Sequence, residues 1–427
     1  IMAFDENGTL LTPFRTWRNT TSEKAAAELT ELLDFNIPQR WSCAHFYQSV
    51  LDKEEYVSRT KKVTTLAGYI HFMLSGENAV GIGEASGIFP VDMTGYDKNK
   101  LKKYADKIAS HGYDNDIYSL FPAVKSAGEK GAYLTEEGAR FLDPTGSLKA
   151  GVPLCPPEGD AGTGMVATNS VRAGTGNISA GTSVFSMLVL SEPLAAVHRE
   201  IDMVTTPDGY PVAMVHCNSC CTELDAWVNM FGEFGALMGC DIDKSELYEK
   251  LYRNAMNAAP DCGGAVAYGF MSGEPAANVE KGYPAYFRSP EHAPTLGEFF
   301  RAQLYSSVGA LKMGMDILFD TEKVSAQLFT CHGGLFKVKN AAAQIIADAL
   351  DTPAAVMTTA GEGGAWGIAL LAAYMMTGNG KKLADWLDST VFGDMEKTVS
   401  YPEEKGREGY EKYIAAFRKG LAMYGKE

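Results

Sequence analysis

The sequence predicts an α/β protein with two domains, in which mixed sheets are flanked by helices. The chain has 427 residues, 46% of them hydrophobic, which is enough for two domains with cores of their own. Strand-like and helix-like segments alternate between residues 326 and 377, as in α/β domains. A Gly-rich stretch, residues 158–190, ends in strand-like runs. We expect the first domain to span residues 1–157 and the second to span residues 158–427.

The composition argues against several classes of partner. The net charge is −15 and the isoelectric point is near 5.0, whereas nucleic acids and anionic membranes require a basic surface. The longest uncharged apolar run, residues 363–378, is shorter than the ~20 residues of a membrane helix and predicts a buried helix. Since no basic leader opens the sequence, we expect a cytoplasmic protein that binds neither nucleic acid nor membrane.

The eight cysteines are irregularly spaced and do not indicate a disulfide framework. Cys217, Cys220 and Cys221, with His216 beside them, have the ligand types of a zinc site. No second cysteine pair at structural-zinc spacing follows them. We therefore expect ordinary buried thiols, with zinc as the alternative.

The first elements along the chain are a hairpin and helices. Residues 1–11 contain Asn7-Gly8, a strong signal for a hairpin turn. A helix is predicted over residues 25–33, preceded by Asn19 or Thr20 as a candidate N-cap with Trp17 packed behind it. Two helices are predicted within residues 44–76. Their apolar residues at helical spacing, most of them expected in the core, are Tyr56, Val57, Val63, Leu66, Tyr69, Ile70 and Leu74.

The central stretch indicates phosphate chemistry. Asp160 follows Pro156-Pro157-Glu158-Gly159, and the turn Gly181-Thr182-Ser183 lies between two predicted strands. A Gly turn lets backbone N–H groups face an anion, and the Thr and Ser hydroxyls add donors. The carboxylate of Asp160 could accept a proton from an attacking substrate hydroxyl. The alternative is a plain hairpin turn with Asp160 as a helix N-cap.

The second half of the sequence alternates strands and helices. The strand over residues 326–331 runs into His332-Gly333-Gly334, a turn typical of a strand-to-helix junction. The other predicted elements are a strand over 211–216, helices over 222–237, 244–258 and 296–318, a strand ending at Ser272-Gly273-Glu274, a helix over 341–350, a strand over 354–359, and helices over 363–377 and 409–424.

These residues resemble the FGGY carbohydrate kinases, which belong to the hexokinase, Hsp70 and actin superfamily. The resemblance covers nearly the whole chain and depends mainly on the order of its motifs. They are Gly159-Asp160, Gly181-Thr182-Ser183, Ser272-Gly273-Glu274, Gly333-Gly334 and the segment beginning Glu362-Gly363-Gly364. The resemblance implies two RNase H-like (actin-like ATPase) domains with mixed sheets flanked by helices and a cleft between them.

The resemblance also implies a reaction, the phosphorylation of a sugar hydroxyl by ATP. Asp160 would be the catalytic base and a sugar ligand, and Mg²⁺ would bridge the phosphates of ATP. The implied nucleotide-binding residues are Gly181, Thr182, Ser183, Gly333, Gly334 and Glu362. Trp17 and Asn19 would contact the sugar, although the family carries Trp-x-Asp-x-Arg here and this chain has Asn19 and Thr21 in place of Asp and Arg.

The spacing of Gly-Asp and Gly-Thr-Ser most resembles the xylulokinase branch, which favours a ketopentose such as xylulose and leaves ribulose, another sugar or a polyol open. The family's first phosphate loop, Asp-x-Gly-Thr, is not found ahead of the hairpin. Either the sequence begins inside the first domain or the protein lacks half of its phosphate clamp. The second case would suit a catalytically inactive regulator that binds nucleotide or sugar. An Hsp70-like chaperone is disfavoured, and a homodimer is left open.

Overall fold

A computed structural model describes residues 1–240, 242–338, 340–357 and 363–424. Its strands are β1 (Met2–Phe4), β2 (Lys62–Thr64), β3 (Ala79–Gly81), β4 (Val91–Asp92), β5 (Gly95–Tyr96), β6 (Ala123–Lys125), β7 (Ala132–Tyr133), β8 (Pro153–Leu154), β9 (Thr175–Ala180), β10 (Val184–Val189), β11 (Ile201–Thr205), β12 (Pro211–Cys217), β13 (Val266–Tyr268), β14 (Ala285–Phe287), β15 (Leu328–His332), β16 (Ala354–Met357) and β17 (Lys397–Ser400). The largest sheet has the strand order β11-β12-β10-β9-β15-β16-β17.

The helices are α1 (Glu23–Leu33), α2 (Ser42–Leu51), α3 (Leu66–Ser75), α4 (Ile82–Ala85), α5 (Lys98–Ala109), α6 (Glu136–Leu142), α7 (Asp160–Ala167), α8 (Cys221–Leu237), α9 (Lys244–Asn257), α10 (Leu296–Asp316), α11 (Ala341–Leu350), α12 (Gly363–Thr377), α13 (Leu383–Thr390) and α14 (Glu404–Gly420). Within the part of the chain that the structure describes, none of them is long and apolar enough to cross a membrane.

The chain forms two compact units. Unit 1 comprises the described residues within Ile1–Ala173, Val189–Ala213 and Glu362–Gly393. Unit 2 comprises those within Gly174–Leu188, Met214–Gly361 and Asp394–Glu427. The domain boundary predicted between residues 157 and 158 stays a prediction.

Unit 1 is built mainly from helices around a core rich in aromatic side chains. Strand β1 pairs antiparallel with β2, and β3 pairs parallel with β6. Helix α7 packs closely against α12. The absence of a side chain at Gly367 makes this approach possible, since a Cβ there would lie 2.0 Å from the carbonyl oxygen of Thr163. The fully buried aromatic residues of the core include Phe46, Tyr47, Phe89 and Tyr104.

Unit 2 contains a mixed sheet covered by helices. Strand β9 pairs antiparallel with β10 and parallel with β15, while β16 pairs parallel with β15 and antiparallel with β17. Helix α10 is buried along most of its length and begins at a capping box, in which Thr295 and Glu298 satisfy each other's backbone N–H groups. Gly309 and Gly314 lie on its crowded faces, against Phe417 and Val215.

Local sequence patterns predicted most of the later helices, but one earlier interpretation was wrong. Residues 44–76 do contain two helices, α2 and α3, yet Val63 lies on strand β2, paired with Ala3 of β1. Leu66 and Ile70, expected in the core, are 70% and 47% exposed. The pairing of β1 with β2 joins distant segments, so helical periodicity in one segment cannot reveal it.

Candidate active site

Asp160 is the first residue of helix α7, and its side chain is exposed. The N-cap position is taken by Gly159, so the alternative interpretation of Asp160 as the N-cap is wrong. The hydroxyl of Thr163 donates to the carbonyl oxygen of Gly159 at 2.9 Å and reinforces this first turn. A carboxylate in the first turn of a helix interacts favourably with the helix dipole.

Sequence reasoning missed a group of carboxyls next to Asp160 in unit 1. Burial, together with the nearby charge of Glu84, raises the pKa of Glu158 to about 8, while N–H groups of Gly83 and Glu84 oppose this shift. Burial also raises the pKa of Glu84, with a contribution from the charge of Asp160. The pKa of Asp208 is raised by burial as well. Only the glycines around these acids gave any sign of them in the sequence.

The predicted sugar ligands Trp17 and Asn19 lie on an exposed turn of unit 1. Trp17 is 60% exposed, with the guanidinium of Arg18 at 4.7 Å from its ring centre, so it does not pack behind a helix. The side-chain oxygen of Asn19 accepts from the backbone N–H and the hydroxyl of Thr21, at 3.0 and 2.7 Å. Helix α1 has Ser22 at its N-cap, so neither Asn19 nor Thr20 caps it. The sugar-binding role stays a prediction.

The turn Gly181-Thr182-Ser183 connects β9 to β10 in unit 2. The N–H of Gly181 donates to the carbonyl oxygen of Ser183 at 2.8 Å. Two further backbone bonds of 3.0 Å attach the turn to the start of α8, from the N–H of Cys220 to Thr182 and from the N–H of Cys221 to Gly181. A Cβ on Gly181 would meet no atom within 4 Å, so the backbone of the turn is uncovered at this residue.

A cavity of about 800 Å³ in unit 2 brings together Gly181, Thr182 and Gly334. Its volume is typical of a site for a small molecule or cofactor. The lining consists of Gly181, Thr182, Cys221, Thr222, Leu224, Asp225, Lys244, Ser245, Tyr248, Glu249, Tyr252, Arg253, Gly334, Lys337 and Val338. Lys244, Arg253 and Lys337 supply positive charge at this wall, and sequence reasoning missed the whole contribution of α9.

The two glycines after β15 play different roles. Gly333 has φ +104°, and a Cβ there would lie 2.3 Å from the carbonyl oxygen of Ala180, so this position requires glycine. A Cβ on Gly334 would meet no atom within 4 Å. Ser183 and Gly333 are not among the lining residues, although each adjoins one in sequence. Glu362 lies outside the described residues.

Glu274, from the Ser-Gly-Glu segment, supports the loop between β12 and α8. Its Oε2 accepts the N–H groups of Asn218 at 2.8 Å and Ser219 at 3.2 Å. The residue is fully buried, and burial raises the pKa of its carboxyl to about 7 against the effect of these N–H donors. Cys220 and Cys221 follow these residues directly and donate their N–H groups to the Gly181 turn. Glu274 therefore holds in place the loop to which this turn of the cavity is attached.

Cys217, Cys220 and Cys221 lead into helix α8, at one side of the cavity. The Sγ atoms of Cys220 and Cys221 lie 3.6 Å apart, and Cys217 is buried. The pKa of Cys220 is raised well above its ordinary value by the thiol of Cys221 and by burial. No group of three or more His, Cys, Asp or Glu side chains suited to a metal ion occurs within residues 1–240, 242–338, 340–357 and 363–424. The prediction of ordinary thiols stays a prediction.

Residues 176–376 match the model of the C-terminal domain of the FGGY family of carbohydrate kinases. This part of the chain therefore has the sequence pattern of that family's C-terminal domain. The match supports the family predicted from the sequence, and solved structures confirm the predicted fold.

Solved structures of sugar and polyol kinases share this fold. A ligand-bound xylulose kinase from Lactobacillus acidophilus aligns with a TM-score of 0.77 at 14% identity, covering 99% of this chain and 82% of that one. A gluconate kinase from the same organism gives 0.77 at 15% identity, with coverages of 99% and 82%. A Plasmodium falciparum glycerol kinase with ADP gives 0.75 at 14% identity, with coverages of 100% and 82%. A comparison with curated proteins finds no match.

Proposed function

We propose that the protein transfers the γ-phosphoryl group of ATP, bound as its Mg²⁺ complex, to a hydroxyl of a sugar, with a ketopentose such as xylulose as the leading substrate. The observation that carries this proposal is the cavity of about 800 Å³ on which Gly181, Thr182 and Gly334 open together. Two Gly turns that are about 150 residues apart in the sequence thus line one cavity, which is large enough for a nucleotide. The family match supports the kinase class.

The nucleotide would bind through backbone groups and basic side chains of unit 2. The open backbone at Gly334 would let adenosine lie flat against it, since no Cβ intervenes. Thr182 and Ser183 would donate to phosphate oxygens, Gly181 would leave room for the phosphates because it has no Cβ, and Lys244 would add positive charge. Mg²⁺ enters with the phosphates as part of the substrate, a mode that needs few protein ligands.

Asp160 would act on the acceptor hydroxyl. Its exposed carboxylate at the start of α7 can orient the hydroxyl and take its proton as the oxygen attacks phosphorus. Trp17 and Asn19 would contribute to sugar binding, the ring by packing against apolar sugar faces and the amide by its two N–H donors. The engagement of the Asn19 oxygen with Thr21 leaves those donors as its recognition element.

The ketopentose is supported by the resemblance of the motif spacing to the xylulokinase branch and by xylulose kinases among the similar structures. Gluconate and glycerol kinases are also among them, so the substrate panel must be wide. Because ATP and sugar phosphates are intracellular metabolites, we further propose a cytoplasmic enzyme. Light scattering of the purified protein distinguishes a homodimer from a monomer.

The test is a coupled assay of ADP release from the purified protein with Mg²⁺-ATP and a panel of xylulose, ribulose, aldoses, gluconate and glycerol. We expect xylulose to give the highest kcat/KM. A different best substrate would replace the ketopentose and leave the kinase proposal standing. Absence of ADP release with every acceptor, in a protein that binds ATP, would overturn the proposal in favour of a non-catalytic regulator.

A further inference from the structure

The segment that leads into Asp160 is anchored to a second segment of unit 1 by the carboxyl group of Glu158. Oε1 of Glu158 accepts the backbone N–H of Gly83 at 3.1 Å. The N–H of Gly81 donates to the carbonyl oxygen of Pro157 at 2.8 Å, one residue earlier. Two hydrogen bonds therefore hold residues 157 and 158 against the turn at residues 81–83.

The carboxyl of Glu158 fits this place because three glycines make room for it. A Cβ on Gly81 would lie 2.1 Å from Oε1, and a Cβ on Gly83 would lie 2.5 Å from Oε2. A Cβ on Gly162, in the first turn of α7, would lie 3.0 Å from Oε2. The carboxyl thus touches both the anchoring turn and the helix that begins with Asp160.

The carboxyl of Glu84 also lies against the segment that leads into α7. Oε2 of Glu84 would lie 2.3 Å from a Cβ on Gly159, the N-cap residue of α7. Oε2 of Glu158 is itself buried without a hydrogen-bond partner among the described residues. A buried oxygen without a partner is costly, and such a cost is tolerated where it serves a site.

We propose that Glu158 is a positioning residue for Asp160, fixing the start of α7 by anchoring it to the backbone of Gly83. This inference deepens the proposed function, because it assumes that Asp160 is the base. Glu158 itself does not touch the substrate in this proposal. Its effect on turnover comes from the direction in which it holds the neighbouring carboxylate.

The experiment compares four single variants and the double variant Glu158→Ala/Gly83→Ala in the ADP-release assay, each checked for its melting temperature. Glu158→Ala removes the anchor, and Glu158→Gln restores an oxygen that accepts the N–H of Gly83. Gly83→Ala displaces the carboxyl of Glu158, because its Cβ would lie 2.5 Å from Oε2. Gly87→Ala is the matched control, because its Cβ would make only an ordinary contact of 3.6 Å, with the carbonyl of Glu84.

We expect Glu158→Ala and Gly83→Ala to lower kcat on the order of 10- to 100-fold, since small misplacements of a reacting group have effects of this size. The KM for ATP should stay unchanged, because the nucleotide cavity lies in unit 2. Glu158→Gln should recover most of the turnover. The double variant should be no slower than the slower single variant, because both changes break one contact.

Several results would overturn the inference. They are a kcat of Glu158→Ala close to wild type, a Glu158→Gln variant as slow as Glu158→Ala, or additive losses in the double variant. If Glu158→Ala does not fold, Gly83→Ala against Gly87→Ala decides the matter. The failure of the proposed function looks different. If the proposed function is wrong, Asp160→Asn turns over at the rate of the wild type. If Asp160→Asn is slow but Glu158→Ala is as fast as wild type, only the positioning role of Glu158 is contradicted.

Discussion

Replacing Glu274 by Gln should change how the stability of the protein depends on pH. The carboxyl of Glu274 is fully buried, and its pKa is raised from 4.5 to about 7. In the unfolded chain the same group loses its proton near pH 4.5. Between these two values the folded state binds more protons than the unfolded state, so the free energy of unfolding falls as the pH rises.

The size of this effect follows from the shift. Each pKa unit corresponds to about 1.4 kcal/mol, so this shift amounts to about 3 kcal/mol. The contribution is fully present below pH 4.5, is lost progressively as the pH rises to 7, and changes little above that. Gln keeps an oxygen for the N–H groups of Asn218 and Ser219 but does not titrate. The difference in unfolding free energy between wild type and variant therefore isolates this one group.

The assay is urea unfolding of both proteins, followed by tryptophan fluorescence at pH 5 and pH 8. We expect the variant to gain about 2.5 kcal/mol relative to wild type between these two pH values, somewhat less than the full effect because part of it is already lost below pH 5. Glu280→Gln, an exposed change nearby, should show no such gain. A difference between Glu274→Gln and wild type that is the same at both pH values would refute the reasoning, since it would mean that Glu274 is ionised throughout.

Three further changes test the site. Gly334→Val should weaken ATP binding, measured by calorimetry. It should leave the melting temperature unchanged, because a Cβ at this position meets no other atom. Gly333→Ala should lower the melting temperature, because its Cβ would overlap the carbonyl of Ala180. Unchanged ATP affinity in folded Gly334→Val would remove the adenosine assignment. Asp160→Asn should lower kcat about 10²- to 10⁴-fold with little change in the KM for ATP or in the melting temperature; near-normal turnover would contradict the role as base. The purified protein should contain no stoichiometric zinc and should not unfold with a chelator, and one zinc per chain by elemental analysis would show that Cys217, Cys220 and Cys221 are ligands.

Features encoded within a short window could be predicted from the sequence. Helices α11 and α12 begin and end where expected, because strong apolar patterns and Gly or Asp residues mark their ends. The turn at Gly181 and the glycines after β15 were found for the same reason, since glycine shows directly where backbone must stay open. In these segments the local preference and the fold agree.

Features that depend on distant contacts could not be predicted. Strand β2 exists because it pairs with β1, and nothing in the local pattern around Val63 shows this. Two of the basic residues of the cavity lining, Lys244 and Arg253, come from α9, and in the sequence they are indistinguishable from the charges of a solvated helix face. Glu158 was visible beside Asp160, but its contact with Gly83 appears only once the two segments meet.

The close packing of α7 against α12 has a consequence for folding during synthesis, because the ribosome makes α7 long before it makes α12. About 200 residues separate the end of α7 from the start of α12. At the usual pace of the ribosome, α7 would wait on the order of 10–40 s before its partner is made. Until then the face of α7 that receives Gly367 is bare, so a nascent chain already carrying Asp160 lacks the support that holds this helix. A stalled or shortened product ending before residue 363 would therefore expose this face to chaperones or proteases, however well its earlier segments had folded.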